Sequence, residues 1–206
     1  MVRIALPPPD PRRRLNPVQI SLPAGTDLFR IYDPASAHKP GPLAFRAQGP
    51  YARFDHHERT GTGQPRAIWY GGLTLACAIV ESFQSGVIDP GTMRLVHART
   101  TRALLLLELR GRAAVRAGTV TAIAAGDHNL SQAWSRHFYD DPNRIYGPID
   151  GLHWASAVNG DRTLALYERS GEALEVPPDH DAPLNDPAVL ASVRRIARNH
   201  GLLVVA

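Results

Sequence analysis

The chain has 206 residues, 44% of them hydrophobic, and its 23 Lys and Arg against 19 Asp and Glu leave a formal charge of only +4. That length and apolar content suit one domain with a proper core. The single cysteine, Cys77, excludes an internal disulfide or a cysteine-based zinc cluster and points to a reducing, cytoplasmic setting.

In chain order, residues 1–26 (MVRIALPPPDPRRRLNP, then SLPAGT) are dense in proline and arginine without a helical or strand period, and read as an extended arm. The fold is expected to start near Asp27 and to run as a single domain over 27–206. Leu28 to Tyr32 reads as a short strand, and Asp33 to Gly63 as an irregular stretch of a length that usually carries function. Ala67 to Tyr70 reads as a buried strand. Gly72 opens a helix with Leu73, Ala76, Val80 and Phe83 on one side, and Gly86 ends it. The purely apolar run Ala103 to Leu107 lies in a strand candidate over Ala103 to Leu109, although its four leucines equally suit a buried helical turn. That run is far short of the roughly 20 residues of a membrane helix, and the N-terminus lacks an apolar signal core. A soluble, unexported protein is expected. Asn129 is placed to cap a helix to Tyr139 with Trp134 and Phe138 on one face. Ile149 to Trp154 and Thr163 to Tyr167 read as strands around the turn Asn159-Gly160-Asp161. Asn185 or Asp186 caps a last basic helix through Asn199, Gly201 stops it, and LLVVA reads as an edge strand. The sum is a mixed α+β domain, a mixed sheet with flanking helices and no repeats.

Four residues of the kind that build sites are set in apolar segments: Arg30 in LFRIYDP, Arg53 in YARFDHH, and Tyr70 and Glu81 in AIWYGGLTLACAIVESFQSG. A charge among apolar neighbours costs several kcal/mol unless it is paired or meets a ligand. Thr74, Cys77, Ala78, Glu81 and Ser85 share one side of the expected helix, so Glu81 projects from a face of small residues that a ligand can approach. Competing motifs are weak. Gly61-Thr62-Gly63 lacks the third glycine of a dinucleotide fingerprint, and no P-loop is present. His56 and His57 read as a solvated loop rather than a metal site, and Cys77 as a buried structural thiol. The basic clusters, Arg12 to Arg14 and Arg194, Arg195 and Arg198, favour anionic ligands without requiring nucleic acid.

The succession of these segments resembles the RES-domain family, toxins of RES/Xre toxin–antitoxin pairs. It rests on LFRIY with Arg30, G-x-x-A-R-F-D with Arg53, IWYGG with Tyr70, A-x-x-E with Glu81, and I-D-G-L-x-W-x-S with Ser156, spanning about Leu28 to Arg169. The resemblance implies a fold similar to ADP-ribosyltransferases, a metal-free site, and NAD as a substrate degraded at the nicotinamide–ribose bond by hydrolysis or phosphorolysis. It also implies an antitoxin partner with a helix-turn-helix DNA-binding region, no direct contact with nucleic acid by this chain, and leaves a homo-oligomer open. On that expectation Arg30 and Arg53 grip the pyrophosphate, Tyr70 stacks on the nicotinamide or a ribose, and Glu81 stabilises the developing oxocarbenium ion. Ser156 is expected to orient the amide or ribose. Transfer of ADP-ribose to a protein or nucleic acid, an RNA-targeting basic toxin, and a binding protein without turnover are the alternatives.

Overall fold

The computed structural model describes residues 3–37, 41–58 and 65–205. The chain forms β1 (Gln19–Leu22), β2 (Asp27–Tyr32), β3 (Ile68–Gly72), α1 (Leu75–Ser82), β4 (Val87–Ile88), β5 (Arg94–Thr100), β6 (Leu104–Glu108) and α2 (Arg112–Arg116). It continues with α3 (His128–Asp140), β7 (Gly151–Ala155), β8 (Arg162–Tyr167), β9 (Leu174–Glu175), β10 (Asp181–Pro183), α4 (Pro187–His200) and β11 (Leu203–Val204).

The main sheet runs β1-β6-β7-β8-β3-β2-β5-β10, with β9 also on β5. Only the β6–β7 pair is parallel within it, so the fold is the mixed α+β arrangement with flanking helices that the sequence indicates. Alternation along the strands divides the apolar residues between two faces. Leu107, Leu152, Tyr167 and Ile68 meet Trp134 and Phe138 of α3 on one face, while Leu106, Leu166, Trp69, Val96 and Leu28 pack on one another where the sheet curls around them. Ile31 joins Ile79 and Phe83 from the α1 region and Val193 and Ile196 of α4 in a third cluster.

Several expectations are corrected. The fold does not wait for Asp27: Gln19–Leu22 pairs antiparallel with Leu104–Leu107 as the β1 edge. The preceding arm is tied down as well. Trp134 Nε1 donates to the Ala5 carbonyl (2.7 Å), and Arg13 donates to the carbonyls of Val115 and Gly118 at the end of α2, where a cation suits the helix C-terminus. Strand β5 was not legible. His97 and Arg99 stand half-exposed on one face, while Val96 and Ala98 are fully buried on the other, and it pairs with β2 along Asp27–Tyr32.

Helix boundaries shift to the residues whose oxygens meet orphan N–H groups. Thr74 rather than Gly72 caps α1, Asp127 rather than Asn129 caps α3, and Asp186 caps α4. Gly201, at φ 68°, closes α4 as expected, and the terminal segment forms an edge strand, Leu203–Val204, that pairs parallel with β4 in a separate two-stranded sheet. Gly61-Thr62-Gly63 lies outside the described residues. No helix among the described residues is long and apolar enough to cross a membrane.

Candidate active site

The site exists because two neighbouring strands part. β2 and β3 are registered only at Phe29 and Gly72. Beyond that point the segment around Arg46 takes the place of β2 beside β3: Arg46 and Ile68 exchange both backbone hydrogen bonds, at 2.9 and 3.0 Å. Trp69 Nε1 fastens the same segment through the Pro42 carbonyl at 3.0 Å. The split opens a cavity of about 500 Å³ between β2, the end of β3 and α1. Glycines are required at its floor. A Cβ on Gly71 would stand 2.3 Å from the Trp69 ring, and one on Gly72 would stand 2.8 Å from Cys77 Cβ, so any side chain there would push the strand or the helix out of place.

Arg30, Arg53, Tyr70 and Glu81 all line this cavity, each brought by a different element: β2, the loop after Arg46, β3 and α1. Arg30 is 6% exposed. Its guanidinium donates to the carbonyls of Ala44 (3.0 Å) and Pro42 (3.4 Å) and lies 5.4 Å from the Trp69 ring centre. Among the described residues no carboxylate pairs with it. Burial, helped by the nearby Arg46 cation, lowers its pKa to about 10, so it remains charged at neutral pH.

Arg53 is half-buried and donates to the Gly126 carbonyl. Burial lowers its pKa, and the opposing pull of Glu81 shows that the two charges sense one another across the cavity. Glu81 is half-buried, and its Oε2 accepts from Gln84 Nε2 at 3.1 Å. The small-residue face expected beside it is present, since Cys77 and Ala78 also line the cavity. The Tyr70 hydroxyl donates to Asp55 Oδ1 (2.9 Å) and accepts from the Phe54 N–H (3.0 Å). Burial, reinforced by the Asp55 charge, raises its pKa well above 10.0, so the phenol stays protonated.

Ser156 is not brought to the cavity wall. Its Oγ accepts from the N–H groups of Val158 (3.1 Å) and Asn159 (3.4 Å), closing the turn between β7 and β8, and it is Ala157 and Val158 that reach the cavity. His56 and His57 are not solvated either. Both are fully buried, because partners remote in sequence satisfy one nitrogen of each ring. His56 Nε2 donates to Glu168 Oε2 (2.9 Å) and His57 Nε2 to the Gln48 carbonyl (2.9 Å). Among the described residues each Nδ1 is without a partner, which suits a neutral ring holding its proton on Nε2. Burial outweighs the Glu168 carboxylate and lowers the His56 pKa. Among the described residues no three His, Cys, Asp or Glu side chains are grouped to hold a metal ion. Cys77 is the buried thiol expected, with burial and the Glu81 charge pushing its pKa up to about 12.

Sequence reasoning missed Arg46 and Trp154. Arg46 lines the cavity and its Nη2 donates to both Asp55 oxygens, at 2.6 and 2.7 Å. The signal was available: Leu43-Ala44-Phe45-Arg46 repeats the setting of Leu28-Phe29-Arg30, an arginine closing an apolar run. Trp154, which the sequence offers only as the end of a strand, lines the cavity with its ring 4.5 Å from that of Phe54 and 6.4 Å from that of Tyr70. The result is a cleft with a cationic side, two carboxylates, Asp33 and Glu81, and aromatic walls. It is suited to an anionic ligand with flat rings whose reaction develops positive charge near Glu81.

Residues 27–186 match the family model described as the RES domain. Among solved structures, the chain is similar to one in the crystal structure of the M. tuberculosis MbcT–MbcA toxin–antitoxin complex, with 16% identity over 85% of this chain and 92% of that chain, and a TM-score of 0.59. At that identity the likeness is one of fold. No curated protein sequence matches.

Proposed function

This chain belongs to the RES-domain family, and from that premise we propose that it is the toxin of a toxin–antitoxin pair, an enzyme that degrades NAD by breaking the nicotinamide–ribose bond. The observation that carries the proposal is Arg30: a buried, charged guanidinium on the cavity wall whose hydrogen-bond partners among the described residues are carbonyls, with no carboxylate beside it. Such a group is costly in the empty fold and is compensated by an anionic ligand. A pyrophosphate meets Arg30 and Arg53 through paired N–H donors. Tyr70 and Trp154 offer ring faces to the nicotinamide or a ribose.

As the C1′–N bond breaks, the electron pair leaves with nicotinamide, which departs neutral, and positive charge develops on the ribose. Glu81 lines the same cleft, its carboxylate paired with the neutral amide of Gln84 rather than with a cation, and it stabilises that charge. Water then adds at C1′ with loss of a proton to give ADP-ribose, or phosphate adds to give the 1-phosphate. The partner in this proposal is an antitoxin with a helix-turn-helix DNA-binding region, which restrains the toxin.

The test is the fate of NAD incubated with pure, antitoxin-free protein, with and without phosphate, followed by chromatography. Release of nicotinamide with free ADP-ribose or its 1-phosphate is expected. ADP-ribose recovered covalently on a protein or nucleic acid would move the reading to transfer, and NAD left intact while RNA is cleaved would overturn it.

A further inference from the structure

Asp55 is absent from the cavity wall, yet two side chains of that wall, Arg46 and Tyr70, hydrogen-bond to its carboxylate. It is fully buried. Oδ1 accepts from Arg46 Nη2 (2.6 Å) and the Tyr70 hydroxyl (2.9 Å). Oδ2 accepts from Arg46 Nη2 (2.7 Å) and from the N–H groups of Tyr51 (2.7 Å) and Ala52 (2.8 Å). A buried carboxylate with this many donors is held in one orientation.

The backbone on either side of Arg53 is fixed by the same set of bonds. The Ala52 N–H is held by Asp55, and the Ala52 carbonyl accepts from Gln132 Nε2 at 3.0 Å. The Phe54 N–H donates to the Tyr70 hydroxyl, itself oriented by Asp55, and the Phe54 carbonyl accepts from Ser135 Oγ at 2.6 Å. Arg53 therefore has its backbone locked at both neighbours, and its side chain reaches the cavity wall while its guanidinium donates to the Gly126 carbonyl. Asp55 also neutralises Arg46 and so leaves Arg30 as the buried cation without a carboxylate.

We infer that Asp55 is a positioning residue for the reaction: its carboxylate sets Arg46, Tyr70 and the Arg53 peptide in register around the cleft without touching the substrate. The inference rests on the NAD-cleaving reading. It makes a statement that a purely structural role does not: the contribution of Arg53 depends on Asp55, so the two are energetically coupled.

A double-mutant cycle on kcat/KM for NAD tests this, using Asp55→Asn, Arg53→Ala and both together, with folding checked by circular dichroism. Arg53→Ala in the wild-type background should lower kcat/KM by about 10–100-fold, chiefly through KM. In the Asp55→Asn background the same change should cost under about 3-fold. The cycle is repeated with Asp55→Glu, which keeps the charge that neutralises Arg46 but moves the acceptor by about one methylene, and which should show the same coupling. Losses that simply multiply in folded variants overturn the inference and leave the NAD reading standing. A wild type that leaves NAD untouched overturns both. Failure of both Asp55 variants to fold makes Asp55 a folding residue and overturns the inference.

Discussion

Asp55 and His56 are consecutive in sequence, yet each belongs to a different buried polar centre, and the two centres are built on opposite principles. The Asp55 centre borders the cavity and is incomplete. It gathers Arg46 and Tyr70 around one carboxylate and leaves Arg30, close by, without a carboxylate partner among the described residues. The His56 centre is closed. Its carboxylate, Glu168, accepts from His56, from the Tyr139 hydroxyl and from the Ala67 N–H at 3.2 Å, and Arg169 lies 4.0 Å from the Tyr139 ring centre. None of these residues lines the cavity. A closed polar centre holds loops to the sheet, while an open one holds a charge in readiness for a ligand, and substitutions should therefore separate stability from activity.

The largest effect is expected at the cleft. Glu81→Gln keeps size and removes the charge, and should lower kcat on NAD by about 10²–10⁴, roughly 3–5 kcal/mol of barrier, with the thermal midpoint unchanged. Near-normal turnover would return Glu81 to an ordinary helix-end glutamate. Next is Arg30→Met, read by calorimetric titration of ADP-ribose. Loss of about 1.5–3 kcal/mol in affinity is expected, together with a thermal midpoint equal to or above wild type, because the fold no longer holds a buried cation without a carboxylate. Replacing Arg12, Arg13 and Arg14 together controls for bulk charge and should leave that affinity in place. A destabilised Arg30 variant with intact binding would dissolve the distinction between the centres.

The smallest effect belongs to the closed centre. Glu168→Gln should cost about 1–2 kcal/mol of unfolding free energy at pH 7, with turnover per folded molecule retained. Its pH signature follows from linkage. Burial alone would raise the Glu168 pKa, but donors from His56 and Tyr139 outweigh burial and pull it from 4.5 to about 2. Between those values the unfolded chain binds the proton and the folded chain does not. This carboxylate therefore stabilises the fold above about pH 4.5, and the stability is lost as pH falls toward 2. His56, with its folded pKa lowered below 6.5, adds a loss that begins earlier, as pH falls below 6.5, because only the unfolded imidazole readily takes the proton. Urea titrations across this range should show the lower limb flattened in Glu168→Gln and the upper limb flattened in His56→Gln.

Local sequence carried a large part of this. β2, β3, β8, α1 and α4 were legible because each encodes its own burial: an apolar run, a period near 3.6, or a capping residue a few positions away from the N–H it satisfies. Arg30, Arg53, Tyr70 and Glu81 were legible as a succession for the same reason, since each stands out against apolar neighbours within its own segment. Strand β5 was not, because its Arg94, His97 and Arg99 mask the buried alternation of Val96 and Ala98, and β1 hid in a proline-rich arm whose value as a strand depends on β6, far along the chain. Nor did sequence reveal that His56 and His57 are buried, that Arg46 joins the cleft, or that Ser156 serves a turn. The free energy of burying a polar side chain is set by partners rather than by the residue itself, and those partners are remote: Glu168 lies 112 positions from His56, and Asp55 unites a segment nine residues before it with a strand fifteen residues after it. Spacing along the chain carries no record of such pairings, which arise only when β2 and β3 part and the segment around Arg46 takes its place beside β3.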